Sequence, residues 1–319
     1  MTKDKIEKNF QISEEFKSLR LDQALAKLLP EFSRTEIQDW LKTGEILVDG
    51  KITRAKEKVI GGEEITISAS FKDQPEWQAE DIALDIVYND EDLMVINKPV
   101  GMVVHPAAGN FSSTLLNALL HHTPELKDLP RAGIIHRIDK DTSGLLIIAK
   151  NHNSLNSLTK QLKKKSISRI YHAIIQGVLT SGGTIDKPIG RHSIKRKKMA
   201  VTDTGKPAVT HYRIIERYRA YTKVKVILET GRTHQIRVHF ADNKHPLLGD
   251  QTYGGRLQLP KGASSDLVDE LRSFKRQALH AYELTLEHPT TKKPLTLNAP
   301  VPADMAKLIK ILQEDAKLS

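Results

Sequence analysis

Cysteine is absent from the 319 residues, which excludes disulfides, thiolate zinc sites, iron–sulfur clusters and a cysteine nucleophile. Long apolar runs are absent too. The longest is Leu145–Ala149, far short of the roughly 20 residues that span a bilayer. The N-terminus, Met1-Thr2-Lys3-Asp4-Lys5, has no apolar segment of the kind a secretory signal needs. No GxGxxG, no glycine-rich phosphate loop and no His-Glu-x-x-His occurs, so the common cofactor and zinc-hydrolase signatures are missing. These gaps lead us to expect a cytoplasmic protein with no membrane partner. Hydrophobic residues at 39% and charged residues at 28% suffice for a sizeable core and rule out disorder along the whole chain. The length predicts two domains, or a large one with a small module.

Charge is unevenly spread. Lys and Arg number 49 against 39 Asp and Glu, a net charge of +10, which favours a polyanionic partner, most simply nucleic acid. Residues 1–75 hold 13 basic and 14 acidic residues, leaving 36 and 25 for residues 76–319. The positive field therefore belongs to the larger, C-terminal part. It is densest at Lys163-Lys164-Lys165 and from Arg191 to Lys198, where Lys195, Arg196, Lys197 and Lys198 crowd together. A run of this kind is either a solvated face or a phosphate-contacting surface.

Residues 20–67 read as an α-α-β-β unit. Leu21, Leu25, Leu28 and Leu29 follow helical spacing, and Pro30 stops that helix. Ser33-Arg34-Thr35-Glu36 has the form of a capping box. Ile37, Trp40 and Leu41 make the buried stripe of a second helix, with Gly44 as its C-terminal cap. Asp49-Gly50 between Ile46-Leu47-Val48 and Lys51-Ile52-Thr53 predicts a hairpin. Glu64 to Ile67 predicts a further strand, and Ser68 to Glu80, polar and without period, a linker. In the larger part, Leu93 to Ile96, Leu145 to Ile148, Tyr221 to Thr230 and Tyr282 to Glu287 predict strands. Leu155, Leu158 and Leu162 predict a helix, Thr233 caps another that buries Ile236 and Phe240, and Met305 to Leu312 forms a terminal one. No regular βαβ repeat occurs, so the fold class expected is α+β with a mixed, mostly antiparallel sheet.

The densest chemistry lies in His136-Arg137-Ile138-Asp139-Lys140-Asp141-Thr142-Ser143-Gly144. A calcium loop starting at Asp139 fails because its twelfth position, a bidentate Glu in an EF-hand, is Lys150. A polar turn remains possible on composition. The third reading is a catalytic carboxylate on a loop beside an arginine. His136, His234 and His239 raise the question of a metal. His234 and His239 lie five residues apart, which suits no simple helical pair of ligands, so these histidines read as structural or RNA-contacting and no metal is expected.

"HRIDKDTSGLLIIAK" resembles the signature of the RluA-type pseudouridine synthases, with Ile138 in place of the commoner Leu. "SRIYHAIIQG", "ETGRTHQIRVHF", "NKPVGMVVHP" and "LHAYELTLEHP" agree with that family in order and spacing. "RLDQALAKLLPEFSRTEIQDWLKTGEILVDGKI" is similar to the S4 RNA-binding domain. The resemblance implies an S4-like α-α-β module over residues 1–75 and a catalytic domain over 76–319. It implies Asp139 as the essential carboxylate, Tyr171 as the active-site tyrosine and Arg237 as the basic partner of the carboxylate. It further implies RNA contacts from Arg20, Arg34 and Lys42 in the module; beside the site, Arg137 reads as a phosphate contact and Arg232 as a substrate contact. For Arg232, support of the loop before the helix is an equal alternative. The implied activity is cofactor-free isomerisation of uridines to pseudouridine in 23S ribosomal RNA by a monomer.

The chemistry suits these residue types. In the isomerisation the N1–C1′ bond breaks and C5 bonds to C1′, so positive charge develops at C1′. An ionised carboxylate can stabilise it or add covalently. Hydrolytic glycosidases use two carboxylates; here the base is retained and no water is activated, so one suffices. A nearby guanidinium favours the ionised form. Two other readings stay open at this point: the same chemistry on tRNA or another rRNA site, and a non-catalytic RNA-binding factor in ribosome assembly.

Overall fold

The computed structural model describes residues 5–30, 32, 34–70, 77–106, 109–196 and 198–318. They form two compact units, residues 1–76 and 77–319.

In the first unit, β1 (Lys5–Gln11) is followed by α1 (Leu21–Leu28), α2 (Arg34–Thr43), β2 (Ile46–Val48) and β3 (Glu64–Ser70). The three strands pair antiparallel in the order β1-β3-β2. Leu21, Leu25, Ile37, Trp40 and Leu41 from the helices close over Ile46, Ile65 and Ile67 of the sheet. Gly44 follows α2 at φ 82°, the left-handed cap its position suggests. The proposed capping residue Ser33 lies outside the described residues.

Two expectations are corrected here, and one strand was not foreseen. Asp49 and Gly50 both take positive φ and close a two-residue turn, with Val48 and Lys51 exchanging backbone hydrogen bonds of 2.9 Å. The chain then leaves the sheet: Ile52 is exposed, and β2 pairs with β3 instead of with Lys51–Thr53. Ser68 to Ser70 belong to β3 and not to a linker, because Ala69 is buried opposite Ile6 of β1. β1 itself went unread, since Lys5, Glu7, Lys8 and Asn9 leave few apolar positions in it.

The second unit contains β4 (Ile86–Asn89), β5 (Leu93–Lys98), α3 (Leu115–His122), β6 (Ser143–Ala149), α4 (His152–Lys163) and β7 (Ser168–Gln176). The strands β8 (Gly183–Asp186), β9 (Ile189–Arg191), β10 (Met199–Val201), β11 (Val209–Arg217) and β12 (Tyr221–Leu228) follow. The remainder comprises α5 (Gln235–Asp242), α6 (Ser265–Ser273), β13 (Leu279–Glu287), β14 (Pro294–Asn298) and α7 (Ala303–Ala316). Nine strands make one sheet, β4-β5-β6-β13-β7-β12-β11-β8, with β14 added to β13; β9 and β10 pair separately. Only β6 and β13 run parallel among the described pairs. The fold is therefore α+β on a mixed, mostly antiparallel sheet.

Both faces of this sheet are covered, which is why β5 and β6 read as unbroken apolar runs. On one face Ile96, Leu146, Ile148, Tyr171 and Val226 pack with Leu116 and Leu119 of α3 and Ile236 and Phe240 of α5. On the other, Leu145 and Ile147 pack with Leu158 of α4, while Ile174 and Tyr221 meet α6 and α7 through Leu271 and Leu308. Gly144 sits at φ 112° with Ala281 O only 2.2 Å from where a Cβ would be. No other residue fits where β6 meets β13.

Candidate active site

Asp139 lies on the loop that enters β6, Tyr171 in the middle of β7 and Arg237 on α5. The fold brings all three to one pocket of about 80 Å³, also lined by Arg137, Arg232 and His234. Arg237 Nη1 donates to Asp139 Oδ2 at 3.0 Å. The other carboxylate oxygen, Oδ1, has no hydrogen-bond donor among the described residues. His234 Nε2 stands 3.9 Å from it. The Asp139 side chain keeps 17% of its surface exposed, against 8% for Arg237.

Arg237 is itself held from behind. Its Nε and Nη2 donate to the two oxygens of Asp250 at 2.7 and 2.9 Å, a bidentate pair. Asp250 is buried, and one of its oxygens also accepts from the backbone N–H groups of Thr252 and Tyr253. Burial opposes the charge of both partners. It is outweighed by their mutual bonds, so the guanidinium is held above its ordinary range and the Asp250 carboxyl below its own. Arg237 also lies over the Tyr253 ring, 5.1 Å from its centroid.

Tyr253 orders His234 as well. Its hydroxyl accepts from Met199 N–H and sits 2.9 Å from His234 Nδ1. When the phenol donates to Nδ1, the imidazole proton is on Nε2, on the side of Asp139. Burial keeps His234 below its usual pKa, despite Asp139 nearby. His234 occupies the helix-start position of α5 in the left-handed conformation, with φ 57°. That corrects the expectation for Thr233. Gln235 does the capping work from inside the helix, its Oε1 accepting from Arg232 N–H at 3.0 Å and Thr230 Oγ1 at 2.8 Å.

The Asp139 loop is fixed from below by Lys98, which is fully buried at the end of β5. Its Nζ donates to the carbonyls of Pro99, Met102 and Lys140 at 2.7, 2.9 and 3.0 Å. Burial pushes this ammonium down to about 7. Gln277 holds Thr142 through its hydroxyl at 3.0 Å, and Arg276 pairs with Asp304 while reaching Asp141 O. Tyr171 is buried, and burial raises its phenol above the ordinary value, so it stays protonated at neutral pH.

The other predicted contacts separate into groups. Arg137 is exposed at the pocket mouth, whereas Arg232 is tied by Nε to Pro207 O at 3.1 Å. Lys195 and Arg196 are exposed between β9 and β10. Lys198 is engaged, donating to Thr252 O and lying 5.7 Å from the Tyr253 centroid. Lys197 lies outside the described residues. In the first unit Arg20 and Arg34 both bond the buried Asp22, at 3.0 and 2.7 Å, while Lys42 is exposed. His239 is buried between Thr210 Oγ1 and Lys187 O, a structural role. Among the described residues no group of three or more His, Cys, Asp or Glu could hold a metal ion, and no helix is long and apolar enough to cross a membrane.

Residues 92–242 match the RNA pseudouridylate synthase family, and residues 19–65 match the S4 domain. The ribosomal large subunit pseudouridine synthase D of Vibrio parahaemolyticus is 53% identical over 93% of this chain and 92% of its own length. The protein of that name from Pseudomonas aeruginosa is 51% identical over 98% of both chains, and that of Escherichia coli K12 is 50% identical over 95% and 94%. Among solved structures, human RNA pseudouridylate synthase domain containing 4 superposes with a TM-score of 0.57 at 24% identity, covering 72% of this chain and 93% of that one. Human RNA pseudouridylate synthase domain containing 1 gives 0.54 at 25% identity, covering 74% and 96%. The chain belongs to the RNA pseudouridine synthases. Within that family it is similar over nearly its whole length to the ribosomal large subunit enzymes.

Proposed function

We propose that the protein converts specific uridines of large-subunit ribosomal RNA to pseudouridine in the cytoplasm, with Asp139 acting at C1′ of a flipped nucleotide. One observation carries the reading: a carboxylate with one oxygen fixed by Arg237 and the other free of donors, beside Tyr171 in a partly enclosed pocket. A carboxylate held that way is oriented without being neutralised. Its free oxygen meets the positive charge that develops as the N1–C1′ bond breaks, by electrostatic stabilisation or by forming a bond to C1′. The base then rotates, C5 bonds to C1′, the proton on C5 is lost to solvent and N1 gains one, so no oxidant, reductant or group donor is consumed.

Tyr171 supplies a flat face for the uracil and a protonated hydroxyl beside it. Arg237, positioned by Asp250, holds the Asp139 carboxylate in place. Extruding the nucleotide costs a few kcal/mol, least from a loop, and phosphate contacts of the basic surface offset that cost.

The test is release of tritium from RNA labelled at uridine C5. Asp139→Asn is expected to lower turnover by roughly 10³-fold or more while the folded protein still binds RNA. Turnover near wild type would remove Asp139 from the chemistry. The same assay run on tRNA and on large-subunit rRNA fragments separates the substrates, and an inactive wild-type protein that binds RNA would instead be an assembly factor.

A further inference from the structure

Arg169 lies two residues before Tyr171 on β7, so both side chains face the same side of the sheet, about 7 Å apart along the strand. Its exposure is only 9%, yet none of its nitrogens has a hydrogen-bond partner among the described residues, and Nε is fully enclosed. An enclosed donor without an acceptor is disfavoured, and native proteins rarely leave one. His136 repeats the pattern. Its Nε2 accepts from Ile147 N–H at 3.1 Å. The ring proton is therefore on Nδ1, which is buried with no acceptor.

Both orphans line one cleft of about 800 Å³. Arg137, Arg169, Gly231 and Arg232 are shared between this cleft and the Asp139 pocket, so the two hollows adjoin. The one acidic residue of the cleft wall, Glu229, is already bonded to Lys165 and His211. The two unused donors come from different elements, Arg169 from β7 and His136 from the loop before β6, and both residues line this cleft. Gly231 leaves space for the guanidinium: a Cβ there would lie 2.8 Å from Arg169 Nη1.

We propose that this cleft seats a phosphodiester of the RNA strand immediately flanking the flipped uridine, with Arg169 and His136 Nδ1–H donating to its non-bridging oxygens. The assignment rests on the uridine-isomerising reading of the adjoining pocket. It makes Arg169 a residue that registers the strand, so that the nucleotide over Tyr171 is the one that reacts. Burial, with the charge of Arg169 adding to it, pushes His136 down to about 3. Its donor therefore persists unchanged across the physiological range, and the grip has no histidine switch.

The experiment uses a stem-loop RNA of the preferred substrate with the target uridine, native or carrying a single methylphosphonate at the 5′ or 3′ flanking phosphate. Dissociation constants are measured in the Asp139→Asn background so that the RNA is not turned over, and kcat and KM with Asp139 intact. Arg169→Gln is expected to weaken binding and raise KM by about 10- to 100-fold, as for a lost charged hydrogen bond, with a smaller fall in kcat. One methylphosphonate should weaken binding to the otherwise unaltered protein by a similar factor, and Arg169→Gln should then lose nothing more. Arg169→Lys should recover part of the binding. Binding should show no inflection from pH 5 to 8 attributable to His136.

A fall in kcat with KM unchanged would mean that Arg169 acts on the chemistry through its charge near Tyr171, and would overturn the proposal. So would additive losses from the variant and the methylphosphonate. If Arg169→Gln fails to fold, the methylphosphonate RNAs decide with the unaltered cleft: no effect at either position overturns the proposal. Full turnover by Asp139→Asn would sink the parent reading, whereas an inactive Asp139→Asn with an indifferent Arg169→Gln sinks this inference alone.

Discussion

In the N-terminal unit a buried carboxylate, Asp22, is clasped by two guanidiniums; in the catalytic unit a buried guanidinium, Arg237, is clasped by two carboxylates. The inversion changes what each cluster offers a ligand. Around Asp22 the surplus is one positive charge, carried by Arg20 and Arg34 at 46% and 43% exposure. It can face a polyanion, but each arginine is restrained by the carboxylate beneath it. Around Arg237 the surplus is one negative charge, carried by Asp139. In the reaction we propose, that charge meets the cation developing at C1′ and repels the phosphates of the strand that delivers it. The basic residues that ring the pocket, Arg137, Arg169 and Arg232, answer that repulsion.

Removing the hidden half of each cluster breaks the comparison most sharply. Asp250→Asn leaves Arg237 with Asp139 alone and a buried charge underpaired. We expect a loss of about 3–5 kcal/mol in stability and roughly 100-fold in single-turnover rate as Arg237 and Asp139 shift, read by urea titration and by tritium release. A rate near wild type would show that Asp139 needs no support from behind.

Asp22→Asn should cost about 1–3 kcal/mol in the N-terminal unit and leave the isomerisation rate at saturating RNA unchanged. The two tryptophans, Trp40 and Trp77, fall one in each unit, so Trp77→Phe lets Trp40 fluorescence report on the N-terminal one. Both carboxylates share a pH signature. Burial opposes their ionisation, but Arg237 with its backbone neighbours for Asp250, and Gln38 with the arginines for Asp22, hold each carboxyl below its ordinary value. The unfolded chain therefore takes up protons first. The stabilisation is complete above about pH 4 and is lost as pH falls through the lower folded values. Each Asn variant should flatten that acid limb, and an unchanged limb would mean that the carboxylate is not stabilised by folding.

The smallest effect is expected at the exposed Lys195 and Arg196. Changing both to Ala should reduce the log–log salt slope of RNA binding by about 0.7–0.9 for each phosphate that is no longer neutralised. An unchanged slope would make this loop a solvated face.

The elements that were legible are those where one physical signal dominates. β5 and β6 announce themselves as apolar runs because both faces are covered. α4 shows its leucine period, and Asp49-Gly50 its turn. The three residues carried by the family motifs meet in one pocket although they lie on a loop, a strand and a helix. Asp250 was not legible: in Leu-Leu-Gly-Asp-Gln-Thr it looks like any turn aspartate, and only the fold places it under Arg237. Lys98 is not legible either, since burial of a lysine beneath three carbonyls leaves no mark in composition. Arg169, a charged residue near the start of β7, invites the reading of a solvated side chain. His234 was passed over as a cap because local rules give that task to Thr233, whereas the structure puts His234 there in the left-handed conformation, its ring against the Tyr253 hydroxyl.

The place of β13 has a consequence for when activity can arise during synthesis. β6 and β7 follow one another in the chain, yet β13, from near the C-terminus, is inserted between them and pairs with both. A growing chain that has not yet delivered Leu279–Glu287 holds Asp139, Tyr171, Arg237 and Asp250 but has two open strand edges where the sheet should be continuous. The wall that carries Tyr171 then lacks the strand that joins it to β6 in the finished sheet. We expect competence only once β13 has been delivered, so that an unfinished copy emerging from a ribosome does not modify the RNA around it.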